Sequence, residues 1–76
     1  MLHTMFLNIL SNDMFFEVYA EDDDTILRIK KTINDITAFP LKKIVLSFKT
    51  KELDSSLTLK DYDICDRDSL ILTLSS

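Results

Sequence analysis

The sequence predicts an α+β fold in which one amphipathic helix covers one face of a small sheet, with elements in the order β, β, α, β, short β, β. Three observations carry this expectation. In the stretch 25–39 the isoleucines fall at positions 26, 29, 33 and 36, spacings of three and four that place them on one stripe of a helix. On either side lie short runs rich in β-branched and aromatic residues that alternate in character, the pattern of half-buried strands. Hydrophobic residues make up 46% of the 76 and Cys65 is the only cysteine, so the chain reads as a single domain over 1–76 held by an apolar core rather than by disulfides.

The first two strands read as a hairpin, 5–10 (MFLNIL) and 14–19 (MFFEVY), around the turn-forming Ser11, Asn12 and Asp13. Alternation points Met5, Leu7 and Ile9, and Phe16, Val18 and Ala20 on the second strand, at the helix. It leaves Phe6, Phe15 and Tyr19 looking outward. Thr25 can cap the helix through its hydroxyl, while Glu21, Asp22, Asp23 and Asp24 place negative charge at the positive end of the helix dipole. Arg28, Lys30, Lys31, Asn34 and Asp35 form the solvent face. Pro40 closes the helix, since proline cannot donate the next helical hydrogen bond and restricts the residue before it. The run IVLSF, 44–48, is a third strand with Ile44 and Leu46 inward and Val45 and Ser47 outward. Segment 49–56 fits a turn and a very short strand anchored by Leu53, and 57–64 a compact loop pinned by Leu57, Leu59, Tyr62 and Ile64. The last strand, SLILTL at 69–74, turns Leu70, Leu72 and Leu74 inward and Ile71 and Thr73 outward.

Composition excludes several kinds of function. With no glycine and one proline, the chain has no glycine-rich phosphate loop, dinucleotide fingerprint or low-complexity linker. A net charge of −4 argues against binding nucleic-acid phosphates or an anionic membrane. No window approaches the roughly 20 apolar residues of a membrane span, and 1–10 lacks the basic region and small-residue cleavage site of a signal peptide. The expectation is a protein partner for a cytoplasmic or nuclear monomer capable of weak self-association, with no cofactor and no metal. No enzymatic constellation can be assembled. His3 stands alone near the N-terminus, and Cys65 has Arg67 as its one basic neighbour. Asp61, Asp63, Asp66 and Asp68 lack the glycine and the closing bidentate glutamate of a calcium loop.

The series Asp24-Thr25-Ile26, Ile29, Ile33, Pro40, Leu46, Phe48, Leu53, Thr58-Leu59, Asp61-Tyr62, Ile64, Leu70 and Leu72 resembles ubiquitin and its relatives. The resemblance covers nearly the whole chain after Thr4, with a one-residue adjustment in the first hairpin, and TLKDY at 58–62 is its most specific part. It implies the β-grasp fold, a mixed four- to five-stranded sheet across one helix with the first and last strands parallel at its centre. It implies also that the Tyr62 hydroxyl ties down the loop before the last strand. The family often has glycine where the chain leaves the helix. Ala38 stands there, at a cost if its φ is positive.

Two departures from the family bear on function. Conjugated members end in two glycines, whereas this sequence reaches Ser75-Ser76 without one, so as it stands conjugation is not expected. The family's apolar recognition patch maps to Leu10 or Ser11, Ser47 and Thr73, and is largely erased. Apolar residues appear one register away, at Val45 and Ile71, with Phe6 and Phe15 on the hairpin. The expected function is therefore a non-covalent protein-interaction module of the ubiquitin pathway, binding through the outer sheet face at Phe6, Phe15, Val45, Ser47, Ile71 and Thr73. Two alternatives stand beside it. One is a modulator of splicing factors, from the local similarity of KIVL at 43–46 with Leu59, Asp61-Tyr62, Ile64, Asp66, Leu70 and Leu72 to the tail-less, splicing-associated ubiquitin-like protein. There an acidic residue before the helix cap, matched by Asp24, pairs with an arginine of a partner helix, but the paired C-terminal tyrosines are replaced by Thr73-Leu74. The other is a conjugatable modifier whose diglycine tail lies beyond Ser76.

Overall fold

A computed structural model describes residues 4–76; His3 lies outside them. The hairpin forms from β1 (Thr4–Leu10) and β2 (Phe15–Glu21), in register from Thr4↔Glu21 to Leu10↔Phe15. The second strand begins one residue later than alternation suggests, because the turn closes between the Ser11 amide and the Met14 carbonyl at 2.9 Å. After α1 (Ile26–Thr37) come β3 (Ile44–Phe48), the two-residue β4 (Lys51–Glu52) and β5 (Ser69–Leu74). They join one five-stranded sheet in the order β2-β1-β5-β3-β4. The first and last strands run parallel at its centre, with Ile9 opposite Leu70. This is the mixed sheet across one helix, the β-grasp arrangement that the resemblance implies.

Alternation identifies the core side correctly for most strand positions. Met5, Leu7, Ile9, Val18, Ala20, Ile44, Leu46, Leu70 and Leu72 are buried, with Ile26, Ile29 and Ile33 against them from the helix. Leu53, Leu59 and Ile64 complete this core from the loops. Three expected core positions are corrected: Leu57 is 39% exposed and is tied down through its carbonyl, which accepts the Ile26 amide, rather than by its side chain, and Ile36 and Leu74 are the others. Ile36 is 53% exposed, because at about 100° per residue it lies about 60° round from Ile33, at the edge of the stripe in the last turn. Phe39, beyond the helix, packs on that end instead. Leu74 is 46% exposed at the end of the last strand, where it borders a surface hollow with Met14 and Phe39 although its partner Ile44 is buried.

Both helix ends differ in detail from expectation. At the start, the Thr25 hydroxyl accepts from the Arg28 amide at 3.1 Å. The amides of Ile26 and Leu27 donate to the carbonyls of Leu57 and Ser55 at 2.8 and 3.0 Å, so the loop 55–58 satisfies groups that a lone helix leaves open. No acidic residue lies in the first turn, and the Asp24 carboxylate accepts the Glu21 amide at 2.9 Å, closing the turn that leads into the helix. At the far end the helix stops before Pro40 is reached. Ala38 takes the left-handed conformation, φ 63°, with its amide on the Asn34 carbonyl, and the Asn34 side chain donates to the Phe39 carbonyl at 2.6 Å.

The other glycine-free turns show the same substitution. Lys49 and Thr50 both have positive φ, 51° and 68°, and connect Phe48 to its partner Lys51, a two-residue turn of the kind that favours Asn-Gly. The aspartates of the last loop are spent on backbone amides. Asp61 accepts from Thr58 at 2.9 Å, Asp66 from Phe6 at 2.7 Å and Asp68 from Cys65 at 2.8 Å. The Tyr62 hydroxyl accepts the Asp54 amide at 2.7 Å, holding the loop as the resemblance implies.

Candidate functional site: the outer face of the sheet

The strand registers turn a set of outward residues into a map, because residues opposite one another on neighbouring strands present side chains to the same face. One row runs across the whole sheet. Phe15 on β2 faces Leu10 on β1, Leu10 faces Ile71 on β5, Ile71 faces Ser47 on β3, and Ser47 faces Glu52 on β4. The next row toward the C-terminus pairs Thr73 with Val45. Five of the expected contact residues, Phe15, Val45, Ser47, Ile71 and Thr73, are thus brought onto one face, with Leu10 bridging Phe15 and Ile71. Phe15 is 68% and Ile71 44% exposed. Beside this cluster, the turn 11–14 and the end of β5 enclose a hollow of about 430 Å³ lined by Met14, Phe39, Thr73 and Leu74.

Phe6 is on the same face but apart. A polar row of Glu17, Asn8 and Ser69 separates it from the central cluster. It pairs with Tyr19, ring centroids 4.8 Å apart and tilted by 58°, and the Arg67 guanidinium lies 5.1 Å from its centroid. Asp24 is elsewhere, in the turn between β2 and the helix, where its carboxylate and carbonyl are taken by the amides of Glu21 and Leu59. The seven expected residues therefore resolve into a central cluster of five, a second aromatic cluster and a separate turn.

Two carboxylates mark the edge strands of this face, and Arg67 lies over Phe6 on it. Glu17 and Glu52 project from β2 and β4. The lysines nearest Glu52 are drawn to rings that pack on the core: Lys49 lies 5.2 Å over Phe48 and Lys51 5.7 Å over Tyr62. Lys43 stands at the start of β3, beyond the Thr73–Val45 row. The arrangement is an apolar, partly aromatic surface suited to contact. Sequence reasoning missed the central place of Leu10 and the pairing of Tyr19 and Arg67 with Phe6. Alternation assigns a face, whereas neighbourhood depends on register.

Comparison with known proteins agrees with this architecture. The family model described as the ubiquitin family matches residues 7–76. Among solved structures, the chain is similar to the ubiquitin-like domain of an Arabidopsis thaliana protein determined by solution NMR. The TM-score is 0.91 at 22% identity, over 96% of this chain and 79% of that one. With 537 solved chains matching, this likeness speaks for the fold and leaves the role to be argued from the surface. No curated protein matches the chain.

Proposed function

The chain belongs to the ubiquitin family, and from that premise we propose that it acts as a non-covalent protein-interaction module gripped on the outer sheet face around Ile71. The observation that carries this reading is the row Phe15, Leu10 and Ile71 on three adjacent strands, with Val45 and Thr73 beside it. Its apolar surface faces away from the core that the other side of the same strands builds. Exposed apolar clusters of this kind are a signature of interaction sites. The positions that match the family's own patch include Ser47 and Thr73, so receptors built for ubiquitin are expected to bind weakly, and the partner to be a protein fitted to the shifted cluster.

The test compares partners captured from cells by the wild type, Ile71→Asp and Asp24→Lys, with circular dichroism confirming that all three are folded. Loss of the partner set in Ile71→Asp with retention in Asp24→Lys is the expected result. The reverse pattern would replace the sheet face with the turn at Asp24, the splicing-type reading. Asp24 is the weaker candidate because its carboxylate is already bonded to the Glu21 amide.

A further inference from the structure

We infer that two copies of this chain associate weakly by pairing β2 with β2 antiparallel, about a two-fold axis at Glu17, and that the two Glu17 carboxylates set how weak the pair is. This holds whatever grips the outer face at Ile71. A sheet has two edges, and this one protects them unequally. β4 is two residues long and begins with Lys51. β2 runs for seven residues without proline or lysine, and pairs with β1 residue for residue, without a bulge. Short length, lysine, proline and bulges keep an edge strand from pairing with another chain, and β2 has none of these. Phe15, Glu17 and Tyr19 are all exposed. Phe15 at 68% and Tyr19 at 71% are the most exposed large apolar side chains described.

The backbone selects the register. Successive residues of an edge strand turn their amide and carbonyl alternately toward the neighbouring strand and away from it. Glu21 directs both away from β1, its amide to the Asp24 carboxylate and its carbonyl to the Asp24 amide. Phe15, Glu17 and Tyr19, in alternation with it, also direct theirs outward, and no turn, loop or cap hydrogen bond among the described residues takes them. With Glu21 held by its own turn, a two-fold axis at Glu17 engages all three: Glu17 faces Glu17 and Phe15 faces Tyr19, for about six backbone hydrogen bonds. An axis at Phe16 or Val18 leaves one of the three unpaired.

The side chains follow from that register. On the outer face Phe15 of each copy lies opposite Tyr19 of the other, a stabilising aromatic pair, while Glu17 meets Glu17, and like charges directly opposite destabilise. Two aromatic pairs thus flank one repulsive centre. An edge contact of this length is smaller than a stable interface, so association is weak with both charges in place and tightens when they are removed. The two outer faces then lie on the same side of one continuous sheet, and the pair presents the Ile71 cluster twice.

Sedimentation equilibrium of wild type, Glu17→Gln, Glu17→Lys, Tyr19→Pro and Ile71→Asp tests this, with circular dichroism confirming that each is folded. Glu17→Gln is expected to dimerise about fivefold more tightly than the wild type. Glu17→Lys repels itself as the wild type does, but its equimolar mixture with wild type is expected to form a heterodimer tighter than either homodimer, the signature of a register that opposes position 17 to itself. Tyr19→Pro removes an outward amide that an edge strand can spare within its own fold, and is expected to be monomeric. A mixture no tighter than its components, or a Glu17→Gln variant that stays monomeric at millimolar concentration, overturns the β2 pairing. Association that is lost in Ile71→Asp and indifferent to position 17 overturns it too, and moves the self-contact to the outer face.

Discussion

A chain without glycine must place other residues where the backbone turns left-handed, and among the described residues five do so: Ala38, Lys49, Thr50, Asp63 and Arg67. For residues with a Cβ this conformation costs roughly 1–2 kcal/mol, partly offset by the smaller entropy such residues lose on folding. Thr50 is the most strained by type, being β-branched at φ 68°. Ala38→Gly and Thr50→Gly are each expected to stabilise the fold by about 0.5–1 kcal/mol, with Thr50→Gly the larger, as read from urea unfolding midpoints. Asp54 offers a test by pH. Its carboxyl is held below the usual 3.8 by the Ser56 backbone amide first and the Ser56 hydroxyl second, opposed by desolvation and helped least by the charge of Lys30. A carboxyl depressed in the folded state lends stability above its unfolded value and loses it as pH falls through the lower folded value. The advantage of wild type over Asp54→Asn is therefore expected to be full above about pH 4 and to shrink on acidification below it. An advantage that stays constant or grows there would mean that the Ser56 contacts do not discriminate the ionised form.

At the scale of elements, the helix shows both what the sequence makes legible and where legibility ends. The buried positions 26, 29 and 33 follow from a 3.6-residue repeat, a local property that needs no knowledge of the rest of the chain. Ile36 and Leu74 satisfy the periodicity yet are exposed, because each stands at the last turn or the last rung of its element, where a local pattern carries no information on what covers it. The same limit hid the loop that supplements the Thr25 cap. That the carbonyls of Ser55 and Leu57 would meet the first helical amides depends on a contact between segments some 30 residues apart, which no local pattern reveals. The candidate site divides likewise: alternation put Phe15, Val45 and Ile71 on one face, and only register put Leu10 among them. Thr25→Ala is expected to cost about 1 kcal/mol by removing the hydroxyl that accepts the Arg28 amide. Ile33→Ala, which empties part of the buried stripe, is expected to cost about 2–5 kcal/mol in the same unfolding measurement.

For the whole molecule, one sheet divides two tasks between its faces, and β5 lets them be separated by a single step along the chain. Leu70 is fully buried against β1, while Ile71 is 44% exposed on the other side, next to Leu10 and Ser47. If the outer face exists for contact rather than for folding, the two positions respond oppositely. Leu70→Ala is expected to lower stability by about 2–5 kcal/mol, the range for truncating a buried leucine. Ile71→Asp is expected to cost about 1 kcal/mol, the span of strand propensities, since its side chain is 44% exposed and lies outside the core. Partner capture follows the other order, lost in Ile71→Asp and kept by the folded fraction of Leu70→Ala. Urea unfolding of both variants decides the matter before any partner is known. A penalty at Ile71 as large as that at Leu70 would mean that the outer cluster supports the fold itself, and the apolar row would then be part of the architecture rather than a surface kept for another protein.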